Sequence, residues 1–266
     1  MRSLATDLLR LLATAPGWIF MVLGCLVWGG LGIPLTLLLA RVWPGARELF
    51  NDLTHRMLHL YIMALPFVRF RVEGQEHRLR GPRILVVNHQ SWLDPILMIG
   101  LEPRLGGPVR RYMLRVPIFG SIIRLAGFYE SDIGELPSLE QMRLSAEAAR
   151  ARGGGLLFFP EGTRSADGEI GPFHRGAFRT AVDYDLPIQP VVIEGLDRVL
   201  PRGNVIAQTR WRYPVRIRYL DAILPPFGSG VRRDVVRSLS EGVRDEFVDE
   251  LARLRSERDA LTRLAS

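Results

Sequence analysis

Between Pro16 and Ala40 the chain carries no charged residue, and this stretch limits the possible architectures more than any other feature. About 24 residues of helix run about 36 Å, enough to cross the roughly 30 Å hydrocarbon core of a bilayer. The apolar part is too long for a cleavable signal, and no small-x-small cleavage pattern follows it. Gly29, Gly30, Gly32 and Pro34 interrupt the run, so a straight span and a bent or re-entrant helix both stay open. Arg2 and Arg10 before it balance Arg41 and Arg47 after it, and the charges set no orientation. Over residues 45–66 the pattern changes. Leu49, Phe50, Leu53, Met57, Leu60 and Tyr61 recur at helical spacing, with Arg47, Glu48, Asp52, His55 and Arg56 between them. Such an amphipathic helix can lie among headgroups or pack on a domain. Residues 1–66 therefore read as a membrane helix plus an interfacial helix, and 67–266 as a globular domain.

At 266 residues, 47% of them hydrophobic and 24% charged, the chain suits a soluble core carrying one greasy segment. The net charge is +7, and all 35 basic residues are Arg, so any phosphate clamp is built from guanidinium forks. A basic balance fits nucleic acid or anionic lipid, and the greasy segment favours lipid. Cys25 is the single cysteine. That excludes an internal disulfide framework and argues against a thiolate metal site.

Past Pro66, strands and helices alternate. Val68–Val72, Ile84–Val87, Arg110–Leu114, Leu156–Phe159 and Pro190–Ile193 read as strands, as does a segment around Arg210–Tyr219. Helices are expected from Ser91, over 117–124, from Ser138 with Gln141 as a capping box, over 173–184, and from Val231 to Ala265. The expectation is an α/β fold: a mixed, largely parallel sheet covered by helices, behind the N-terminal membrane-attached segment. The last helix holds equal numbers of Arg and acids, which argues against a nucleic-acid tail and for packing on the core.

Two stretches carry chemistry. In Val86-Val87-Asn88-His89-Gln90-Ser91-Trp92-Leu93-Asp94, a short buried strand delivers Asn88 and His89 to a turn, and Ser91 can cap the helix that follows. Asp94 lies one helical turn from the histidine. It can fix the imidazole tautomer while His89 takes a proton from a hydroxyl. A polar strand end with a carboxylate in a helix's first turn has the same local pattern. The second stretch, Phe159-Pro160-Glu161-Gly162-Thr163-Arg164-Ser165, directly follows another strand. Loops at strand carboxyl ends are where α/β sheets place ligands. Gly162 allows close backbone approach, and Arg164 offers a fork to a phosphate or carboxylate. His174 reads as structural or substrate-adjacent.

Asn88-His89-x4-Asp94, Phe159-Pro160-Glu161-Gly162-Thr163-Arg164-Ser165 and Leu186-Pro187-Ile188-Gln189-Pro190-Val191 together resemble three blocks of the glycerolipid (1-acylglycerol-3-phosphate) acyltransferases, in the family's order and spacing. The resemblance implies transfer of a fatty acyl chain from coenzyme A or acyl carrier protein to a lysolipid hydroxyl. His89 would be the base and Asp94 its orienter. Asn88, Glu161, Gly162, Thr163 and Arg164 would bind substrate. The acceptor attacks directly, so no enzyme nucleophile, metal or prosthetic group is expected. The remaining block departs from the family. Pro117-x2-Gly120-x6-Gly127 matches, but Phe128-Tyr129-Glu130-Ser131-Asp132 follows where an apolar stretch ending in Asp-Arg is usual. Arg124 or Arg115 is the candidate substitute for that missing grip on the acceptor phosphate.

The reaction expected is acylation of a lysophospholipid, foremost 1-acylglycerol-3-phosphate to phosphatidic acid. Another lysolipid such as lyso-ornithine lipid, a hydrolase using the same His–Asp pair, and a non-catalytic lipid-binding protein are the alternatives. Expected partners are membrane lipids, the lysophospholipid and the acyl thioester, not nucleic acid. The expected location is a bacterial-type inner membrane with the active site facing the cytoplasm.

Overall fold

The computed structural model describes residues 4–131, 139–208, 212–226 and 232–264. Ser138, Asp132, Arg210 and Trp211, named above, lie outside them. Five strands form the main sheet: β1 Val68–Glu73, β2 Arg83–Val87, β5 Gly155–Phe158, β6 Ile188–Glu194 and β7 Tyr213–Tyr219. Their order is β1-β7-β6-β2-β5, and every neighbouring pair is parallel except β6 with β7. The antiparallel pair divides the sheet by direction. The carboxyl ends of β2, β5 and β6 point to one end, and those of β1 and β7 to the other.

Strand β2 sits between two parallel neighbours, which explains its unbroken apolar sequence. Ile84, Leu85, Val86 and Val87 are all fully buried, each contributing about 1.5–3 kcal/mol of transfer free energy. Leu85 and Val87 face one core, with Leu97 and Met98 of α4 (Leu93–Leu101) and Ile62 of α3 (Ala46–Ala64). Ile84 and Val86 face a second core, with Ala146 and Ala149 of α7 (Leu139–Ala151), Phe178 of α8 (Gly176–Asp183), and Phe247 and Leu251 of α10 (Arg232–Leu264).

The expected strand at Arg110–Leu114 is corrected. The chain instead makes a three-residue strand, β3 Gly107–Val109, and then a short helix, α5 Arg111–Arg115. β3 pairs in parallel with β4 Phe128–Glu130, and helix α6 Phe119–Leu125 lies between them in sequence. Five residues with two apolar positions fit one turn of helix as well as a strand. The choice goes to the glycines at 106 and 107. Leu157 N–H donates to Gly106 O at 2.8 Å, and a Cβ on Gly107 would lie 2.4 Å from Leu157 O. Only a backbone without side chains comes that close to β5, so the strand falls there.

At the N-terminus, α1 Leu4–Val27, a π-helical turn Trp28–Gly32 and α2 Ile33–Leu39 follow without a break. Segments of 24, 5 and 7 residues make a rod of roughly 54 Å. Leu8–Leu39 is long and apolar enough to cross a membrane, and little of it is buried. One side rests on the domain. Thr14 Oγ1 accepts Ala207 N–H at 3.1 Å, Trp18 Nε1 donates to Val205 O at 2.7 Å, and Trp28 Nε1 donates to Thr54 Oγ1 at 2.7 Å. Phe20 stacks on Tyr61, and Trp28 on Phe50.

Gly29 meets Ile118, whose Cγ2 would lie 2.0 Å from any Cβ placed at position 29. Ile118 itself is held at φ 66° in a γ-turn closed by Phe119 N–H on Pro117 O. For a β-branched residue this backbone costs about 1–3 kcal/mol, and it ties the rod to the loop before α6. Helix α3 packs on the domain. Phe50, Leu58, Tyr61 and Ile62 are buried, and His55 and His59 donate through Nδ1 to Ile99 O and Gly100 O at the end of α4. Leu49, Leu53, Leu60 and Met63 stay exposed.

Candidate active site

The site is built where β2 ends. Asn88 is fully buried, and its amide both donates to Ile193 O (2.9 Å) and accepts Ile193 N–H (2.8 Å). It extends the β2–β6 pairing sideways by one residue. Its two polar groups are thereby used, so the structure places Asn88 as a brace under the site and not on a substrate surface.

The next residues turn sharply around one carboxylate oxygen. Asp94 Oδ2 accepts Gln90 N–H at 2.6 Å, Ser91 N–H at 2.7 Å and His89 Nδ1–H at 2.8 Å. Ser91 Oγ accepts Leu93 N–H at 3.3 Å and donates to Leu200 O at 2.8 Å. Asp94 is fully buried in the first turn of α4, where the helix dipole and three donors stabilise its negative charge. With Nδ1–H committed to Asp94, Nε2 is the imidazole's free lone pair. The side chain of His89 is 18% exposed and stacks on Phe159, ring centroids 4.3 Å apart. Its orientation is thus fixed by a carboxylate on one edge and an aromatic face beneath.

The second stretch is bonded directly to the first. Glu161 Oε1 accepts His89 N–H at 2.8 Å, Oε2 accepts Gly171 N–H at 3.1 Å, and Ser165 N–H donates to His89 O at 2.7 Å. Burial pushes the Glu161 carboxyl above its ordinary pKa, and the two backbone donors oppose the rise. With a backbone N–H on each oxygen, Glu161 fastens the loop to the histidine turn. Gly162 has φ 66°, and its carbonyl accepts Arg110 Nη2 at 2.6 Å. Thr163 is exposed beside it. Arg164 is half-buried with Cζ 5.0 Å above the Trp92 ring, and its buried Nη1 has no hydrogen-bond partner among the described residues. His174 is exposed, and its backbone N–H is tied to Pro160 O.

Arg124 is exposed near the end of α6, and among the described residues no bond joins its side chain to the rest of the site. Glu130, in the departing block, pairs with Arg111 at 2.5 Å. Two residues of this neighbourhood escape a reading of the sequence. Its pattern puts Arg110 in a strand and gives Trp92 an ordinary helix position. Their signal is a cation and an aromatic flanking the motifs, which gains meaning only when the fold brings them to Gly162 and Arg164. Helix α10 also reaches the site loop: Arg244 Nε donates to Gly171 O at 3.1 Å, and Arg255 Nη2 to Gly168 O at 2.7 Å.

A parallel-sheet α/β domain with a carboxylate-held histidine at a strand end and an arginine-bearing loop beside it has counterparts. Residues 69–194 match the family model described as Acyltransferase. The chain is 31% identical over 206 residues to the 1-acyl-sn-glycerol-3-phosphate acyltransferase alpha of Mus musculus, covering 76% of this chain and 70% of that one. It is 30% identical over 197 residues to the chloroplastic 1-acyl-sn-glycerol-3-phosphate acyltransferase BAT2 of Brassica napus, covering 68% of this chain and 54%, about half, of the plant protein. The fold superposes with a TM-score of 0.70 on the crystal structure of the 1-acyl-sn-glycerophosphate (LPA) acyltransferase, PlsC, from Thermotoga maritima. That match has 22% identity and covers 92% of this chain and 98% of that one. The chain belongs to the glycerolipid acyltransferase family.

Proposed function

We propose that this protein transfers a fatty acyl group from a thioester, acyl coenzyme A or acyl carrier protein, to the free hydroxyl of 1-acylglycerol-3-phosphate, giving phosphatidic acid. The observation that carries the reading is the 2.8 Å bond from His89 Nδ1 to buried Asp94, which leaves Nε2 as the base. Nε2 takes the proton of the acceptor hydroxyl as its oxygen attacks the thioester carbonyl. Asp94 steadies the imidazolium formed. The tetrahedral intermediate then collapses, the carbon–sulfur bond breaks, and the imidazolium returns its proton to the departing thiolate. Arg164 and Arg110, both without a carboxylate partner among the described residues, supply positive charge for the acceptor phosphate. The names of the mouse, Brassica and Thermotoga relatives support this acceptor.

The exposed apolar rod Leu8–Leu39 and the exposed face of α3 support a position at a membrane. We assign it to the cytoplasmic side of a bacterial-type inner membrane, where coenzyme A and carrier-protein thioesters reside. The Glu130–Arg111 pair in the departing block keeps a second acceptor in view, a lysolipid without a simple phosphomonoester.

The test is acyl transfer by detergent-purified protein from labelled acyl coenzyme A and from acyl carrier protein. Lysophosphatidate, lysophosphatidylcholine and lyso-ornithine lipid serve as acceptors, with wild type and His89→Ala. Acceptor-dependent product lost in the variant is expected, with lysophosphatidate preferred. Preference for lyso-ornithine lipid would move the assignment to the second acceptor, and silence with both donors would sink it.

A further inference from the structure

Arg164 is an unusual arginine for this chain. Most of the partly buried guanidiniums meet a carboxylate: Arg78 and Arg83 on Glu102, Arg216 and Arg218 on Glu73, and Arg258 on Glu194. Arg164 has no ion pair among the described residues, and its Nη1 is buried without a partner there. Its guanidinium carbon lies 5.0 Å from the centroid of the Trp92 ring. An arginine side chain has about four rotatable bonds to hold, and a planar fork serves recognition only if it is presented at one angle.

The ring beneath it is well placed to impose that angle. Trp92 immediately precedes α4 and is flanked by Ser91, whose hydroxyl is bonded on both sides, and by buried Leu93. Its own side chain is partly buried against the core. On the other side, Ser165 N–H on His89 O fixes the backbone next to Arg164.

We propose that Trp92 is a positioning residue for acceptor specificity: its ring presents the Arg164 fork to the phosphate of the lysolipid. This rests on the acceptor reading above. The ring's negative face offsets the cost of holding a half-buried cation without a counter-ion. It thereby keeps Arg164 from collapsing onto an acid while the site is empty. The phosphate then supplies the missing anionic partner. The effect belongs to ground-state binding of the charged headgroup. It appears in KM for a phosphate-bearing acceptor and leaves the proton transfer at His89 untouched.

The experiment is a double-mutant cycle on detergent-purified full-length protein: Trp92→Leu and Trp92→Phe, each alone and with Arg164→Ala. Acceptors are lysophosphatidate and the uncharged monoacylglycerol of the same chain length. In the parent background, Trp92→Leu is expected to raise KM for lysophosphatidate about tenfold and Trp92→Phe about threefold, with kcat nearly constant. With Arg164→Ala present, neither Trp92 substitution should raise that KM further. KM for monoacylglycerol should be the same for the parent protein and the Trp92→Leu variant.

A Trp92 effect of equal size with and without Arg164, or a fall in kcat at constant KM, overturns the proposal. If Trp92→Leu does not fold, Trp92→Phe in the two backgrounds decides by the same rule. If Arg164→Ala alone leaves KM for lysophosphatidate unchanged, the acceptor reading has failed. If Arg164→Ala raises it but the Trp92 variants do not, only the positioning role has failed.

Discussion

The two sides of the main sheet, β1 with β7 and β2 with β5, treat arginine in opposite ways. At the carboxyl ends of β1 and β7, Arg216 donates to Glu73 and Glu257, and Arg218 donates to Glu73, Glu250 and Glu257 at 2.5–3.3 Å. A cavity of about 620 Å³ opens there, lined by Glu73, His77, Asp221, Glu250 and Arg253 among others. Its basic side chains are engaged too, His77 with Asp221 and Arg253 with Glu250. On the other side, where β2 and β5 finish, Arg110 meets a carbonyl and Arg164 an aromatic face, with no carboxylate of the described residues on either. The lesson is that cavity size does not pick the site. Cations whose charge is already met hold the fold together, and the two proposed to receive the acceptor phosphate are ones that no carboxylate of the described residues meets.

This contrast can be broken by substitution, and the expected effects fall in a clear order. Asp94→Asn leaves the turn's shape but removes the charge that fixes and steadies His89, so kcat should fall by about 10³–10⁴. Circular dichroism should stay native. Near-normal turnover would mean that His89 is not the base. Arg164→Ala removes a charge-assisted contact and should raise KM for lysophosphatidate by about 30- to 100-fold, roughly 2–3 kcal/mol.

On the β1–β7 side the same kind of change should move stability and leave KM alone. Glu73→Gln strips the shared acceptor from Arg216 and Arg218 and should cost about 2 kcal/mol, read as a lowered denaturation midpoint. A shift in acceptor KM instead would erase the distinction between the two sides.

The smallest effect is expected at Asp52, where the hydrogen bonds from Arg104, at 2.9 and 3.0 Å, hold the carboxyl below its ordinary pKa against partial burial. A lowered folded-state pKa means stability that is present above the unfolded value of about 3.9 and lost as pH falls through the folded one. On a partly exposed, solvent-screened pair that is about 0.5 kcal/mol. Asp52→Asn should flatten the acid limb of the stability–pH curve by that amount.

The parts of this molecule legible in its sequence are those set by local pattern. β2, β5 and β6 are buried on both faces, and Ile84–Val87, Leu156–Phe158 and Val191–Ile193 within them read as unbroken apolar runs. The His89–Asp94 bond spans five residues and is a local event. What depends on distant partners is not legible. The motif suggests Asn88 as a substrate contact, but its amide is taken by Ile193, 105 residues away. It suggests Glu161 as a ligand for the acceptor, and both of its oxygens are taken by backbone. β3 and β4 are three residues each, too short for any periodicity. The reversal of direction at β7 leaves no mark on composition at all.

The π-helical turn at Trp28–Gly32 sets the rotational phase of everything before it. A π-turn amounts to one extra residue in an α-helix, and each residue turns the rod by about 100°. Deleting one residue there would leave an equally long, equally greasy helix. It would also swing Thr14 and Trp18 about a quarter-turn or more off the loop at Val205 and Ala207 that they now hold. A hydropathy profile would not register the change. Insertion into a bilayer would survive it, and the fixed height and tilt at which the catalytic domain faces the lipid would not. In this protein one miscounted residue separates being in the membrane from being aimed at it.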